Sequence, residues 1–205
     1  MSETPASASL TVLVDRLKSR PTPPLFAERP WDPDVSEALR SSSPEQLFDG
    51  RPIRDPHFAA AAIAGVFLLN DDFDGSHNLC QGLKSDTGSY WHGLCHRREG
   101  HIGSGLASNL GNAQYWFRQT GRHAAFPEVY RAAQAEFDAS GAGFRWATEA
   151  SGRLAARGEW DPGAMIDWFA EADRGVLSPS SADLIARIQW REMLTLLEFC
   201  LARAC

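Results

Sequence analysis

The chain is poor in basic residues, with 20 lysines and arginines against 26 aspartates and glutamates and a formal net charge of −6. Non-specific binding to nucleic acid needs a basic surface that neutralises phosphates, so the composition disfavours that partner. Long apolar runs are also missing, because the longest, Phe58 to Leu69, is too short to span a bilayer. The first twenty residues lack a secretory signal pattern. We therefore expect a soluble cytoplasmic protein that binds neither nucleic acid nor membrane.

Cysteine is scarce as well. The four cysteines are Cys80, Cys95, Cys200 and Cys205, and no two of them form a C-x-x-C pair. This excludes a zinc ribbon and a thioredoxin-type motif, and we expect reduced thiols. Cys95 precedes His96 directly, but neighbours on a helix point in different directions, which disfavours a Cys–His nucleophile pair.

Alternation of apolar and polar residues with a period of two is absent over any length that would make a strand, so we predict an all-α fold. Residues 1–55 read as one helix, Leu10 to Leu17, followed by a proline-rich arm packed on the body. Residues 56–205 read as a single all-α domain. Its helices are predicted near Pro56–Asn70, Phe73–Lys84, Ser89–Glu99, Asn112–Thr120, Pro127–Ser140, Phe144–Arg157, Pro162–Asp173 and Ser181–Ala204.

A glycine-rich segment, His101 to Gly111, separates two of these helices. It matches neither the dinucleotide-binding nor the P-loop pattern, so it gives no support for nucleotide binding. We predict a mobile loop that closes over a neighbouring site.

Two successive helix pairs carry small residues where their helices would cross, at Ala64 and Ser76 in the first pair and at Gly93 and Ala113 in the second. An A-x3-F pattern begins at Ala113. These features resemble tetratricopeptide and Sel1-like repeats over about residues 58–121. The resemblance implies stacked helical hairpins and a concave surface that binds peptides. Two repeats are fewer than a stable stack needs, so the exposed end of a short stack favours self-association.

The densest polar cluster is GSYWHGLCHRRE, Gly88 to Glu99. Together with two flanking motifs it looks like the pattern of a set of bacterial and fungal proteins, which implies no particular activity. The matching residues are Ser76-His77, Gln81, Tyr90-Trp91-His92, His96-Arg97-Arg98-Glu99, Asn112-Ala113, Tyr115-Trp116-Phe117-Arg118, Gly121 and His123.

Histidines in this cluster suggest a metal site. His92 and His96 are four residues apart and share one face of a helix, and His77 precedes them on the neighbouring helix. Glu99 is a candidate fourth ligand or a general base, and His123 is an alternative ligand. With zinc or iron bound, this set would support metal-dependent hydrolysis, although the H-E-x-x-H pattern is absent.

Arginines in the same cluster suggest anion recognition instead. Arg97 and Arg98 end the helix and Arg118 lies on its predicted partner, with Tyr90 and Gln81 completing the ligand-binding set. On the sequence we favour this interpretation, in which the protein is a binding or scaffold protein for an anionic peptide or small molecule. A third interpretation is purely structural, with the arginines capping the helix or pairing with nearby acidic residues. Whether the protein is an enzyme stays open.

Overall fold

The computed structural model describes residues 9–100, 106–141 and 144–205, and the predicted all-α fold is confirmed: these residues form helices and turns without a strand. None of the described helices is both long and apolar enough to cross a membrane. The helices are α1 (Leu10–Lys18), α2 (Pro33–Ser41), α3 (Pro44–Leu47), α4 (Pro56–Leu69), α5 (Phe73–Gly82), α6 (Asp86–Glu99), α7 (Leu106–Thr120), α8 (Phe126–Ala139), α9 (Arg145–Arg157), α10 (Pro162–Asp173) and α11 (Pro179–Ala204).

Short polar signals set where many of these helices begin. Asp55 accepts hydrogen bonds from the backbone N–H groups at the start of α4, and Pro56 occupies the first helical position. The same aspartate–proline pair opens α2 and α10. Ser85 caps α6, which therefore begins at Asp86, three residues before the predicted start.

The N-terminal arm contains two helices, α2 and α3, that the sequence analysis did not predict. Asp32 caps α2, and Ser43 forms a reciprocal capping box with Gln46 at α3. Prolines therefore initiate helices in the arm as well as interrupting them. Its apolar side chains join the main core, and the ring of Phe26 meets Phe169 edge to face at 5.5 Å.

The core is one continuous apolar cluster to which every helix contributes. Helices α4 and α11 pack extensively against each other within it. Helices α4 to α7 pack successively, each against the next. Close approach depends on glycine: a Cβ at Gly65 would lie 2.5 Å from the Trp91 ring, and one at Gly93 would lie 2.5 Å from the Phe117 ring. These crossings bring α4, α6 and α7 together.

The prediction of a loop over His101 to Gly111 is corrected in part. Helix α7 begins at Leu106, so the second half of the glycine-rich segment is helical. The packing of α7 along α6 stabilises the helix despite the low helix propensity of Gly111. Residues 101–105, including His101, lie outside the described residues.

Candidate metal centre

Three histidines from two packed helices converge. His92 and His96 lie one turn apart on α6, and His77 lies on α5, which packs against α6. One ring nitrogen from each can be chosen so that all three lie within 4.8 Å of one another. The sequence predicted this trio, and the structure places its members together.

His92 is the buried member, with 2% of its surface exposed. Its ring stacks on Trp116, with the two ring centres 3.9 Å apart and the planes 15° from parallel. Its Nδ1 atom is buried and has no hydrogen-bond partner in the protein. A buried nitrogen without a partner costs free energy. A metal ion bound to this nitrogen would relieve that cost.

Burial also favours the neutral form of His92 and His77. The pKa of His92 is lowered from 6.5 to about 3, mainly because burial removes the ring from water. The nearby His77 and His96 rings lower it further. Burial and the neighbouring His96 lower the pKa of His77, against the opposing effect of Glu99 and Asp74. A neutral imidazole is the form that ligates metal, so His77 and His92 can bind an ion near neutral pH without first losing a proton.

Glu99 orients His96. The Oε2 atom of Glu99 lies 3.2 Å from Nδ1 of His96, one turn earlier on α6. When Nδ1–H donates to this carboxylate, Nε2 of His96 is left as the free acceptor. Glu99 is thus a hydrogen-bond partner of His96, and it is not one of the three converging side chains.

The spacing of the trio suits a small transition-metal ion after a modest closure. Tetrahedral zinc with Zn–N bonds of about 2.0–2.1 Å holds its nitrogens roughly 3.3 Å apart, so the rings would turn inward on binding. The ring planes of His92 and His96 are only 22° apart and their centres are 5.0 Å apart. The in-plane lone pairs of two nearly parallel rings do not meet at one point, so metal binding requires one of these rings to turn.

His123 does not belong to this group. It is buried between Tyr90, Phe126 and Phe199. Its Nδ1 accepts a hydrogen bond from the backbone N–H of Ala125, and Nε2 lies 2.9 Å from the Thr87 hydroxyl. Both nitrogens have protein partners, and His123 is not one of the three histidines whose ring nitrogens converge.

Arg97 and Arg98 do not line an open groove, which corrects the predicted anion site. Both side chains are buried, and both are ion-paired within the protein. Arg97 pairs with Glu192 of α11 and lies over the rings of Phe117 and Phe169. An arginine that is desolvated and already paired has no free face for a ligand from solvent.

Arg98 joins the arm to the domain. Its Nε lies 2.6 Å from one carboxylate oxygen of Asp71, whose other oxygen pairs with Arg20 at 3.0 Å. Arg98 also donates to the backbone carbonyl of Pro24. This agrees with the structural alternative, in which Arg98 pairs with an acidic residue.

Tyr90 is also structural in its contacts. It is fully buried, and its hydroxyl donates to Oε1 of Glu192 at 2.7 Å. Trp160 donates to the same oxygen at 3.0 Å. Glu192 therefore accepts from Tyr90, Trp160 and Arg97. The sequence analysis missed Glu192, whose only signal was a glutamate on the apolar stripe of the last helix.

The remaining members of the predicted anion set lie apart from the trio. Arg118 is exposed and lines a cleft of about 610 Å³ beside Asp161 and Asp167. Gln81 is exposed on α5. Anion binding at Arg118 stays a prediction, and the cleft is lined by basic and acidic side chains alike, with Arg122 and Arg157 beside Glu159.

Buried thiols neighbour the site without the character of nucleophiles. Burial raises the pKa of Cys80 to about 12, and burial also raises that of Cys95. The Cys95 thiol donates to the backbone carbonyl of Phe73 at 3.8 Å. A thiolate is the reactive form, so these cysteines act as small apolar residues near neutral pH.

Comparisons of the chain with protein-family models, with curated proteins and with solved structures found no match. Function therefore rests on the chemistry and geometry of the site.

Proposed function

We propose that the protein is a metal-dependent hydrolase whose ion, zinc in the first instance, is held by His77, His92 and His96. The observation that carries the proposal is the convergence of three imidazoles with an unpartnered, buried nitrogen on His92. Three histidines leave a tetrahedral ion one open position for water, as in catalytic rather than structural zinc sites. Zinc is favoured over iron because non-haem iron sites typically include a carboxylate ligand.

The three histidines, Glu99 and Trp116 have different roles in the proposed hydrolysis. A metal held by these histidines would supply an activated water near neutral pH. In the hydrolysis, the water oxygen would bond to a carbonyl carbon, the bond to the leaving group would break, and the two protons of water would end on the leaving group and in solvent. Glu99 would accept a hydrogen bond from Nδ1–H of His96 and so fix that ring. Trp116 holds the plane of His92 by stacking.

The test is elemental analysis of untagged protein beside a His92→Ala/His96→Ala variant. We expect one equivalent of zinc per chain, lost in the variant, because two of the three ligands are removed. His57→Ala is the matched control, since His57 is an exposed histidine at the start of α4. The control should keep its metal.

A second measurement separates binding from catalysis. Zinc-loaded protein should hydrolyse p-nitrophenyl acetate faster than the metal-free protein and faster than the double variant. Failure to take up zinc, iron or cobalt after reconstitution would overturn the metal site. Stoichiometric metal without any hydrolysis of ester or amide substrates would overturn the hydrolase and leave a metal-binding protein.

A further inference from the structure

We propose that the metal centre selects a substrate bearing a positively charged amine, which is bound beside the ion by acidic and aromatic side chains. This inference rests on the proposed metal site and deepens it by assigning the charge class of the substrate. It reverses the anionic ligand expected from the sequence.

Acidic side chains lie near the histidines. Oε2 of Glu99 is 3.2 Å from Nδ1 of His96, and His77 is close enough to Glu99 and Asp74 to be attracted electrostatically by both carboxylates. Asp74 is exposed and stands one turn before His77 on α5. Glu99 retains 26% of its side-chain surface exposed. Carboxylates from two helices therefore border the trio on its solvent side.

The charge of the ion itself does not cancel this acidic border. Three neutral imidazoles, a divalent ion and a bound hydroxide together carry one positive charge. The two carboxylates of Asp74 and Glu99 then bring the loaded centre to one negative charge. A cation next to the ion is therefore attracted, and a second anion is opposed.

The arginines of the motif that contains the histidines point away from the Asp74 and Glu99 carboxylates. Arg97 and Arg98 are buried in ion pairs with Glu192 and Asp71, so neither offsets the acidic charge. Arg118 lies two residues after Trp116 on α7, about 160° around the helix axis, and lines the separate cleft. The sequence placed arginines near the histidines, but packing removes them from the site.

Aromatic side chains of α7 also adjoin the trio. Trp116, which stacks on His92, is half-buried, and Tyr115 meets its ring edge to face at 5.2 Å. Tyr115 is 52% exposed and is among the few large apolar side chains that the described residues present to solvent. Exposed aromatic rings beside carboxylates are the groups that bind organic ammonium ions, through cation–π and ionic attraction.

The experiment compares three metal-binding probes that differ in charge. Glycine hydroxamate carries an ammonium group, acetohydroxamate is neutral and succinic monohydroxamate carries a carboxylate, and each ligates the ion through the same group. Titration calorimetry on the zinc-loaded full chain should give the ammonium probe the tightest binding and the carboxylate probe the weakest. We expect about fivefold between the ammonium and neutral probes, the effect of one exposed ion pair.

Asp74→Asn is the test variant, and Asp183→Asn, an exposed aspartate of α11, is the matched control. Asp74→Asn should keep one zinc per chain but lose most of the preference for the ammonium probe over acetohydroxamate. Asp183→Asn should keep that preference. Tyr115→Ala should weaken the ammonium probe with an intact metal content.

The outcomes separate the two proposals. A chain that takes up no metal overturns the proposed function. Stoichiometric zinc with equal binding of all three probes, or with tighter binding of the carboxylate probe, overturns the charge assignment and leaves the metal site standing. An unchanged preference in Asp74→Asn also overturns it, because the carboxylate on which it depends is then without effect.

Discussion

At the scale of single residues, charged and polar side chains divide by the direction in which they point from α6. His92 and His96 face α5 and α7, where the trio forms. Arg97 faces α11 and Arg98 faces the N-terminal arm. Successive helical residues are about 100° apart, so His96, Arg97 and Arg98 reach three different surroundings. One short motif thus supplies both a candidate site and the ion pairs that hold the helix in place.

Glu99 tests the orienting role directly. Replacing Glu99 with alanine should weaken zinc binding about 10- to 100-fold, because His96 loses the partner that fixes its ring. Glu99→Gln should lose less, since an amide oxygen still accepts from Nδ1–H. Competition with a chromophoric chelator measures both. Glu149→Ala, at an exposed position on α9, is the control, and equal affinities for wild type and Glu99→Ala would contradict the role.

Arg97 tests the buried ion pair. Arg97→Met should reduce the free energy of unfolding by about 3–5 kcal/mol, because Glu192 is left charged and buried without its cation. The double variant Arg97→Met/Glu192→Leu should recover part of that loss. Urea denaturation measures both. Arg145→Met, at an exposed i,i+4 pair, should leave the free energy of unfolding almost unchanged. A single variant as stable as wild type would contradict the structural role of Arg97.

At the scale of helices, close crossings without Cβ atoms set the position of the site. Gly93 lets α7 approach α6 at Phe117, the residue directly after Trp116. The stacking of Trp116 on His92 therefore depends on how near the two helices lie. Gly65 does the same for α4 against Trp91, directly before His92. Small residues at these crossings matter more to the site than helix propensity does.

Gly93→Ala tests this dependence. An added Cβ would meet the Phe117 ring at 2.5 Å, so we expect a loss of about 1–3 kcal/mol in the free energy of unfolding and weaker zinc binding. Gly152→Ala is the matched control on α9, where a Cβ meets nothing within 4 Å. The control should gain up to about 1 kcal/mol through helix propensity. Thermal unfolding of both variants measures these changes in stability. A Gly93→Ala variant more stable than wild type would contradict the close approach of α6 and α7 at Gly93.

At the scale of the whole molecule, polar networks connect segments far apart in the chain. Asp71, at the end of α4, pairs with Arg20 of the arm and Arg98 of α6. Glu192 joins α6, α11 and the start of α10 through Arg97, Tyr90 and Trp160. The arm and the domain therefore share one buried framework, and the trio lies against it on α6.

The same burial predicts how stability depends on pH. His92, with a pKa of about 3, and His123, whose pKa is lowered chiefly by burial, bind fewer protons when folded than when unfolded below 6.5. Stability of the metal-free protein should therefore be fully present above pH 6.5 and fall as pH decreases toward the folded values. Urea denaturation at pH 7.5, 6.5 and 5.5 measures this. Equal or greater stability at pH 5.5 would contradict it.

Local patterns were readable from the sequence because they depend on neighbouring residues. Asp55-Pro56 and Asp161-Pro162 mark helix starts through hydrogen bonds made within three residues. The spacing of His92 and His96 alone places both rings on one helical face. The arm's helices α2 and α3 lie outside the prediction because Pro33 and Pro44 each stand at a first helical position, where proline starts a helix and does not break one.

The sequence by itself therefore determined the all-α class, most helix positions and the pairing of two histidines, since these follow from backbone hydrogen bonding and helical periodicity. Only the tertiary structure decided that His77 completes the trio, that His123 does not, and that Arg97 meets a glutamate 95 residues away. The physical reason is packing. Which polar groups meet, and which are left without a partner, depends on how helices cross, and no local pattern encodes the crossing.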